Sequence, residues 1–276
     1  MGTGGGGSAK AADRPPPVVL TIAGTDSGGG AGIAADIKTF SALGVFGTLV
    51  VTAVTAQNTQ AVTGVEVMTP AFVEAQLDAV FADFTVAAAK TGMLATTGNI
   101  EVVAARAARG EMAWLVVDPV MVASSGSPLV AGDASAAYRR LLPYASIVTP
   151  NLAEAEVLLG RRVRDEEEMA EAARRLCRLG AGAALVKGGH RRGKDAADVL
   201  CCEGELTWLR APWVTTRNVH GTGCTLSAAL AAYLGKRLGV VEAASAAKDF
   251  VTVSLQRSAS GGLGHGAGPL VLLGPG

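Results

Sequence analysis

Short apolar, β-branched runs alternate with helix-like stretches from residue 18 to residue 258, and few architectures accept that rhythm. Val18–Ala23 stops at Gly24 like a buried strand, and a helical pattern runs from Ile33 to Leu43. Phe46–Thr55 reads as a second strand. Pro70–Phe84 reads as an amphipathic helix whose apolar positions are Phe72, Ala75, Leu77, Val80, Phe81 and Phe84. Further strands are expected at Val86–Thr91, Trp114–Asp118, Ser146–Thr149 and Ala183–Lys187, with two more inside Ala196–Leu209. Further helices are expected at Asn99–Ala108, Ala134–Leu142, Leu152–Leu159, Glu166–Leu179, Gly221–Leu234 and Val241–Ser258. Strands alternating with helices of about 10–15 residues build a mainly parallel central sheet flanked by helices on both faces, so the expected class is α/β. With no internal repeat and no linker, residues 18–268 read as a single domain between a flexible tail, 1–17, and a C-terminal tail, 269–276.

Composition removes several functional classes. The 276 residues carry 24 basic and 24 acidic side chains, so no electrostatic footprint for nucleic acid exists and none is expected as a partner. The acidic run Asp165–Glu168 suits the start of a helix, where negative charge meets the positive dipole end. Cys177, Cys201, Cys202 and Cys224 form no CxxC pair, and with three histidines no zinc-type cluster emerges. A reduced compartment and a cytoplasmic location follow, with no membrane span. An organellar location after removal of a targeting segment is compatible with the same residues.

In sheets of this class, ligands sit beyond the carboxyl ends of the strands, which directs attention to the residues just after each run. Gly30-Ala31-Gly32-Ile33-Ala34-Ala35 matches a dinucleotide fingerprint, and a nicotinamide or flavin oxidoreductase is a rival reading. That fingerprint requires an acidic ribose partner about 20 positions on, and none occurs between Asp36 and Glu66. Gly188–Lys194 matches the first part of a phosphate-binding P-loop, but Asp195 replaces the Ser or Thr.

The strongest local signal is Asn218–Leu226, where an extended stretch enters an apolar helix through His220-Gly221-Thr222-Gly223-Cys224. Backbone N–H groups of Gly221, Thr222 and Gly223 would be unpaired at the positive end of the helix, which suits an anion. Cys224 in that field would have a lowered thiol pKa; equally, it fits a small buried apolar residue. Asn151 and Glu154 fit a capping box, or a carboxylate that reaches Mg²⁺ through water. Lys187 ends a buried strand, poised for phosphate or simply reaching solvent.

Taken in order, these segments resemble the ribokinase-fold superfamily, and within it the hydroxymethylpyrimidine/phosphomethylpyrimidine kinases of thiamine biosynthesis. The matching stretches include Thr21–Asp26, Gly30–Ile33 with Asp36–Lys38, Thr52–Thr59, Lys90–Leu94, Val117–Met121, Thr149–Leu152, Val186–His190, His220–Thr225 and Gly264–Gly266. The resemblance implies a ribokinase-like fold, ATP and Mg²⁺, and stepwise phosphorylation of an aminopyrimidine alcohol and its monophosphate. It implies that Cys224 is the catalytic base beside an anion hole of Gly221, Thr222 and Gly223. It places Gln57, Asp36, Gly24, Met93 and Val120 around the pyrimidine, Lys187, Asn151 and Asp118 on the nucleotide side, and Glu154 at Mg²⁺ through water. Relatives that resemble these enzymes are usually homodimers. Some pyridoxal kinases share the Cys-type loop, and they are the nearest alternative.

Overall fold

The computed structural model describes residues 15–121, 133–189 and 195–272. Residues 1–14 of the expected N-terminal tail, His190–Lys194 of the P-loop-like stretch, and residues 273–276 lie outside the described residues.

Nine strands form one sheet in the order β3-β2-β1-β4-β5-β6-β7-β8-β9. They are β1 (Val18–Gly24), β2 (Phe46–Gln57), β3 (Val62–Val67), β4 (Val86–Thr91), β5 (Leu115–Val117), β6 (Ile147–Val148), β7 (Ala183–Lys187), β8 (Asp195–Cys202) and β9 (Glu205–Pro212). From β2 to β7 all neighbours pair parallel, while β3, β8 and β9 join antiparallel at the two margins. The helices are α1 (Gly32–Ala42), α2 (Pro70–Asp83), α3 (Thr97–Ala108), α4 (Ala134–Leu141), α5 (Leu152–Leu159), α6 (Glu166–Arg178), α7 (Thr222–Gly235) and α8 (Val240–Ser258). The α/β class with a mainly parallel sheet is therefore realised.

Central strands buried on both faces need continuous apolar runs, and β1 (VVLTIAG) has one, with Leu20 and Ile22 fully buried. Each such side chain contributes roughly 1.5–3 kcal/mol through burial. One face of the sheet is covered by α2 to α6, through Leu77, Ile100, Tyr138, Leu158 and Leu176. The other is covered by α1, α7 and α8, through Phe40, Leu230 and Ala247. Helix α7 is rich in alanine, and a Cβ on its Gly235 would lie 3.0 Å from Val19 and 3.6 Å from Ala88. Those small residues let α7 lie close on β1 and β4, with its N-terminus at the end of the sheet where the strands finish.

Three details differ from expectation. Strand β2 continues to Gln57 and turns back as β3, which the sequence pattern did not reveal. The turn is closed by the Asn58 side chain, which accepts N–H bonds from Gln60 (2.8 Å) and Ala61 (3.0 Å). On α2 the buried positions are Val73 and Leu77, while Phe72 and Ala75 face outward. Finally, residues 269–272 are no free tail. Leu270 is buried, Val271 donates to Ser258 (2.8 Å), and Pro269 bridges to His220.

Candidate active site

The segment before α7 is shaped by glycine. Gly221 caps the helix at φ +82°, with no side-chain cap, and a Cβ there would collide with the Gly30 carbonyl. Thr225 N–H closes onto Gly221 O at 2.8 Å. The amides of Gly223 and Cys224 have no acceptor among the described residues, whereas Thr222 N–H turns back to Val219 O at 3.3 Å. Of the expected row at 221–223, the tight turn at Val219 consumes the middle amide, while the Gly221 and Gly223 amides have no acceptor among the described residues and Cys224 adds a third.

Cys224 is partly exposed at this helix start. Burial pushes its thiol up to about 11, with Asp36 and Asp118 adding to the rise, while Lys90 and the Gly32 N–H pull it down. This direction is opposite to the fall expected from the helix field, with burial as the largest influence on the thiol.

Facing the same helix start is a charged group. Lys187 Nζ lies 2.8 Å from Asp118 Oδ1 and 4.0 Å from Glu154 Oε2, and 3.4 Å from where a Gly223 Cβ would stand. Burial opposes the Lys187 charge, but Asp118 and Glu154 outweigh it and hold the ammonium above its usual range. Asp118 also accepts from Thr149 (3.1 Å) and from Ser227 (3.1 Å), the latter one turn into α7. Asn151 and Glu154 form the complete capping box: Glu154 N–H to Asn151 Oδ1 at 2.9 Å, and Asn151 N–H to Glu154 Oε2 at 2.8 Å. Burial pushes the Glu154 carboxyl up to about 7, since it outweighs the nearby Lys187.

An apolar wall stands on the β1–β2 side. Met93, Ala53 and Ala95 pack together with Val120 against them, and a Cβ on Gly24 would strike the Met93 methyl. Gln57 lies at the end of β2, its Nε2 3.5 Å from His220 Nε2. Asp36 does not join this wall. It is fully buried beneath it, accepting both N–H bonds of Lys90 (2.9 and 2.8 Å) and the Thr21 hydroxyl (2.6 Å). Burial pushes Asp36 up and works against Lys90 too, yet the two-pronged contact favours the ion pair and keeps Lys90 protonated. Its place in α1, facing the sheet, removes it from any ligand surface.

The glycine-rich loop is likewise already engaged. Asp26 accepts from Gly28 N–H (2.8 Å), Gly30 N–H (3.1 Å), Ala31 N–H (2.8 Å) and His220 Nε2 (2.9 Å). The amides that a dinucleotide pyrophosphate would need are therefore satisfied by the chain's own carboxylate. The roles of Asp26, His220, Lys90 and Ser227 escaped sequence reasoning. Only Lys90 had a local signal, a lone charge in the otherwise apolar run of β4.

Known proteins show to which family this chain and its fold belong. A hydroxymethylpyrimidine/phosphomethylpyrimidine kinase from Rhizobium meliloti is 51% identical over 256 residues, covering 92% of this chain and 96% of that protein. An ADP complex of Bacillus subtilis pyridoxal kinase superposes with a TM-score of 0.85 at 35% identity, covering 93% of this chain and 97% of that one. A phosphomethylpyrimidine kinase from Clostridium difficile superposes at 0.77 with 37% identity, covering 87% of this chain and 99% of that one. The family model described as phosphomethylpyrimidine kinase matches residues 26–271, from the glycine-rich loop to the C-terminal strap, so the chain belongs to that family, with its ribokinase-like fold.

Proposed function

We infer that the chain is an ATP-dependent kinase of thiamine biosynthesis that phosphorylates 4-amino-5-hydroxymethyl-2-methylpyrimidine and then its monophosphate. The observation that carries this reading is the meeting of free backbone amides with the Lys187–Asp118–Glu154 group at the start of α7, to which the apolar wall of Met93 and Val120 is joined through Gly24 and Gly32. ATP as phosphoryl donor is supported by the ADP held by the Bacillus subtilis relative.

In this reading the aminopyrimidine ring lies against Met93, Val120 and Gly24, with Gln57 hydrogen-bonding its edge. The hydroxymethyl group points to Cys224, whose thiolate accepts the proton as the alcohol attacks the γ-phosphorus in line. Amides at the start of α7, within Gly221, Thr222, Gly223 and Cys224, stabilise charge on the transferring phosphoryl oxygens. Lys187 binds the phosphates, and Asn151 shapes the nucleotide side by capping α5. A thiol held near 11 is almost wholly protonated at neutral pH, and the positive charge of Lys90 is what favours its thiolate.

The residues present also suit Mg²⁺. Asp118 and Glu154 are oxygen donors, and the burial that pushes Glu154 up to about 7 marks a carboxylate that a cation would return to its charged form. Glu154, through water, with Asp118 beside it would hold the ion, which supplies neutralisation of phosphate charge.

A second copy of the chain is the partner proposed for the β3 margin. Val65 and Val67 stand exposed on one face of β3 at the edge of the sheet and Val54 on the opposite face of β2, apolar positions that a second copy lying along this margin would cover. A cytoplasmic location is supported by four free thiols and by the lack, among the described residues, of a helix long and apolar enough to cross a membrane.

The deciding experiment is ATP consumption with the hydroxymethylpyrimidine and, separately, with pyridoxal, each with Mg²⁺ and mass detection of products. Mono- and then diphosphate from the pyrimidine is the expected result. Phosphorylation of pyridoxal alone would transfer the chain to the activity of its Bacillus subtilis structural relative.

A further inference from the structure

Asp26 and His220 are 194 positions apart in sequence, yet each is over nine-tenths buried and they meet at 2.9 Å. We propose that this pair is a latch that positions the catalytic loop, holding the glycine-rich loop against residues 220–224 so that both deliver their amides to Cys224 and the transferring phosphoryl group. The proposal rests on the reading of Cys224 as the base, and it makes His220 a positioning residue for the reaction.

Three observations carry it. The Asp26 carboxylate gathers Gly28, Gly30 and Ala31 N–H groups and the imidazole, four donors on two oxygens, so it organises the whole loop between β1 and α1. That loop runs directly into Gly32, whose N–H is one of the groups that favour the Cys224 thiolate. The two loops also touch without slack. A Cβ on Gly30 would come within 2.6 Å of the His220 ring and 2.8 Å of Pro269, and one on Gly221 would collide with Gly30 O. His220 N–H in turn bonds Gly268 O at 3.0 Å, tying the C-terminal strap to the same point.

The imidazole has one further neighbour. Because the carboxylate only accepts, Nε2 carries its proton toward Asp26 and cannot accept from the Gln57 amide nitrogen 3.5 Å away. Gln57 therefore keeps its N–H groups for a ligand. One side chain thus aligns the glycine-rich loop and the phosphoryl-binding turn while leaving Gln57 uncommitted.

Displacement of about 1 Å in a reacting geometry costs about 10²-fold in rate. We therefore expect His220→Ala to lower kcat by about 10- to 100-fold with KM for ATP within about twofold. His220→Gln, whose amide restores a donor, should recover most of kcat. The double variant H220A/D26N should lose less than the product of the two single losses, because the Asp26–His220 contact is counted in both, while D26N also disturbs the loop amides. Near-wild-type kcat in folded H220A, additive losses in the double variant, or a folded H220Q no better than H220A would each overturn the latch. Should H220A fail to fold, D26N replaces it: kcat at wild-type level in folded D26N overturns the proposal. Cys224→Ser run in parallel separates the two ideas, since wild-type turnover there removes the base reading, while wild-type turnover in H220A alone removes only the latch.

Discussion

Cys224 and Asp26 sit on adjoining loops, and burial acts on both to suppress charge, but their hydrogen bonds decide opposite outcomes. Around Cys224, burial and two carboxylates outweigh Lys90 and one amide, so the thiol is pushed up to about 11. In the ligand-free enzyme, alkylation of Cys224, followed by peptide mass mapping, should keep accelerating about tenfold per pH unit beyond the ordinary cysteine range near 8.5 and level only toward 11. A plateau near pH 8 would show that the helix field dominates instead. Around Asp26, burial is outweighed by bonds from His220, Gly28 and Ala31, which hold its carboxyl below the usual carboxylate range. A carboxyl lowered in this way adds stability that is full above the unfolded value and is lost as pH falls through the folded one. Asp26→Asn should therefore destabilise the protein by about 1–3 kcal/mol at neutral pH in urea unfolding. The difference should shrink only below about pH 4. Neither balance could be read from sequence, because each depends on neighbours that are distant in the chain.

The helices α5 and α7 begin at the same end of the sheet and end their first turns in opposite ways. Helix α5 satisfies its amides with the Asn151–Glu154 box, so Asn151→Ala should cost about 1 kcal/mol in stability, measured by denaturant unfolding. Helix α7 has no side-chain cap and leaves amides for a ligand. Gly221→Ala puts a Cβ at φ +82° onto the Gly30 carbonyl, and should destabilise by more than about 1–2 kcal/mol and abolish turnover. Elements of this kind were largely legible. The capping box and the glycine turn follow from local residue types, and the bounds of α5 and β7 match the pattern read from sequence. The β2–β3 hairpin was not legible, since its exposed strand alternates weakly and its turn depends on one asparagine side chain.

Across the whole molecule, the two faces of the sheet are buried by different helix sets, and the site lies where the central strands end. The β3 margin carries exposed Val65 and Val67. If a second copy covers it, Val65→Lys should convert a dimer into a folded monomer, as read by light scattering on a sizing column. A wild-type chain that elutes as a monomer at the same concentration would refute the proposed interface.

The α/β class, the order of elements and the glycine turn at His220–Cys224 were determined by sequence alone, because periodicity, β-branching and helix-start chemistry act over a few residues. Tertiary structure alone decided which charges met. It placed Asp36 on Lys90 beneath the pocket rather than in its wall, and set Asp118 between Lys187 and Ser227. It also joined Asp26 to His220. Long-range pairing depends on how strands and helices pack, and burial then sets the strength and sign of each electrostatic effect.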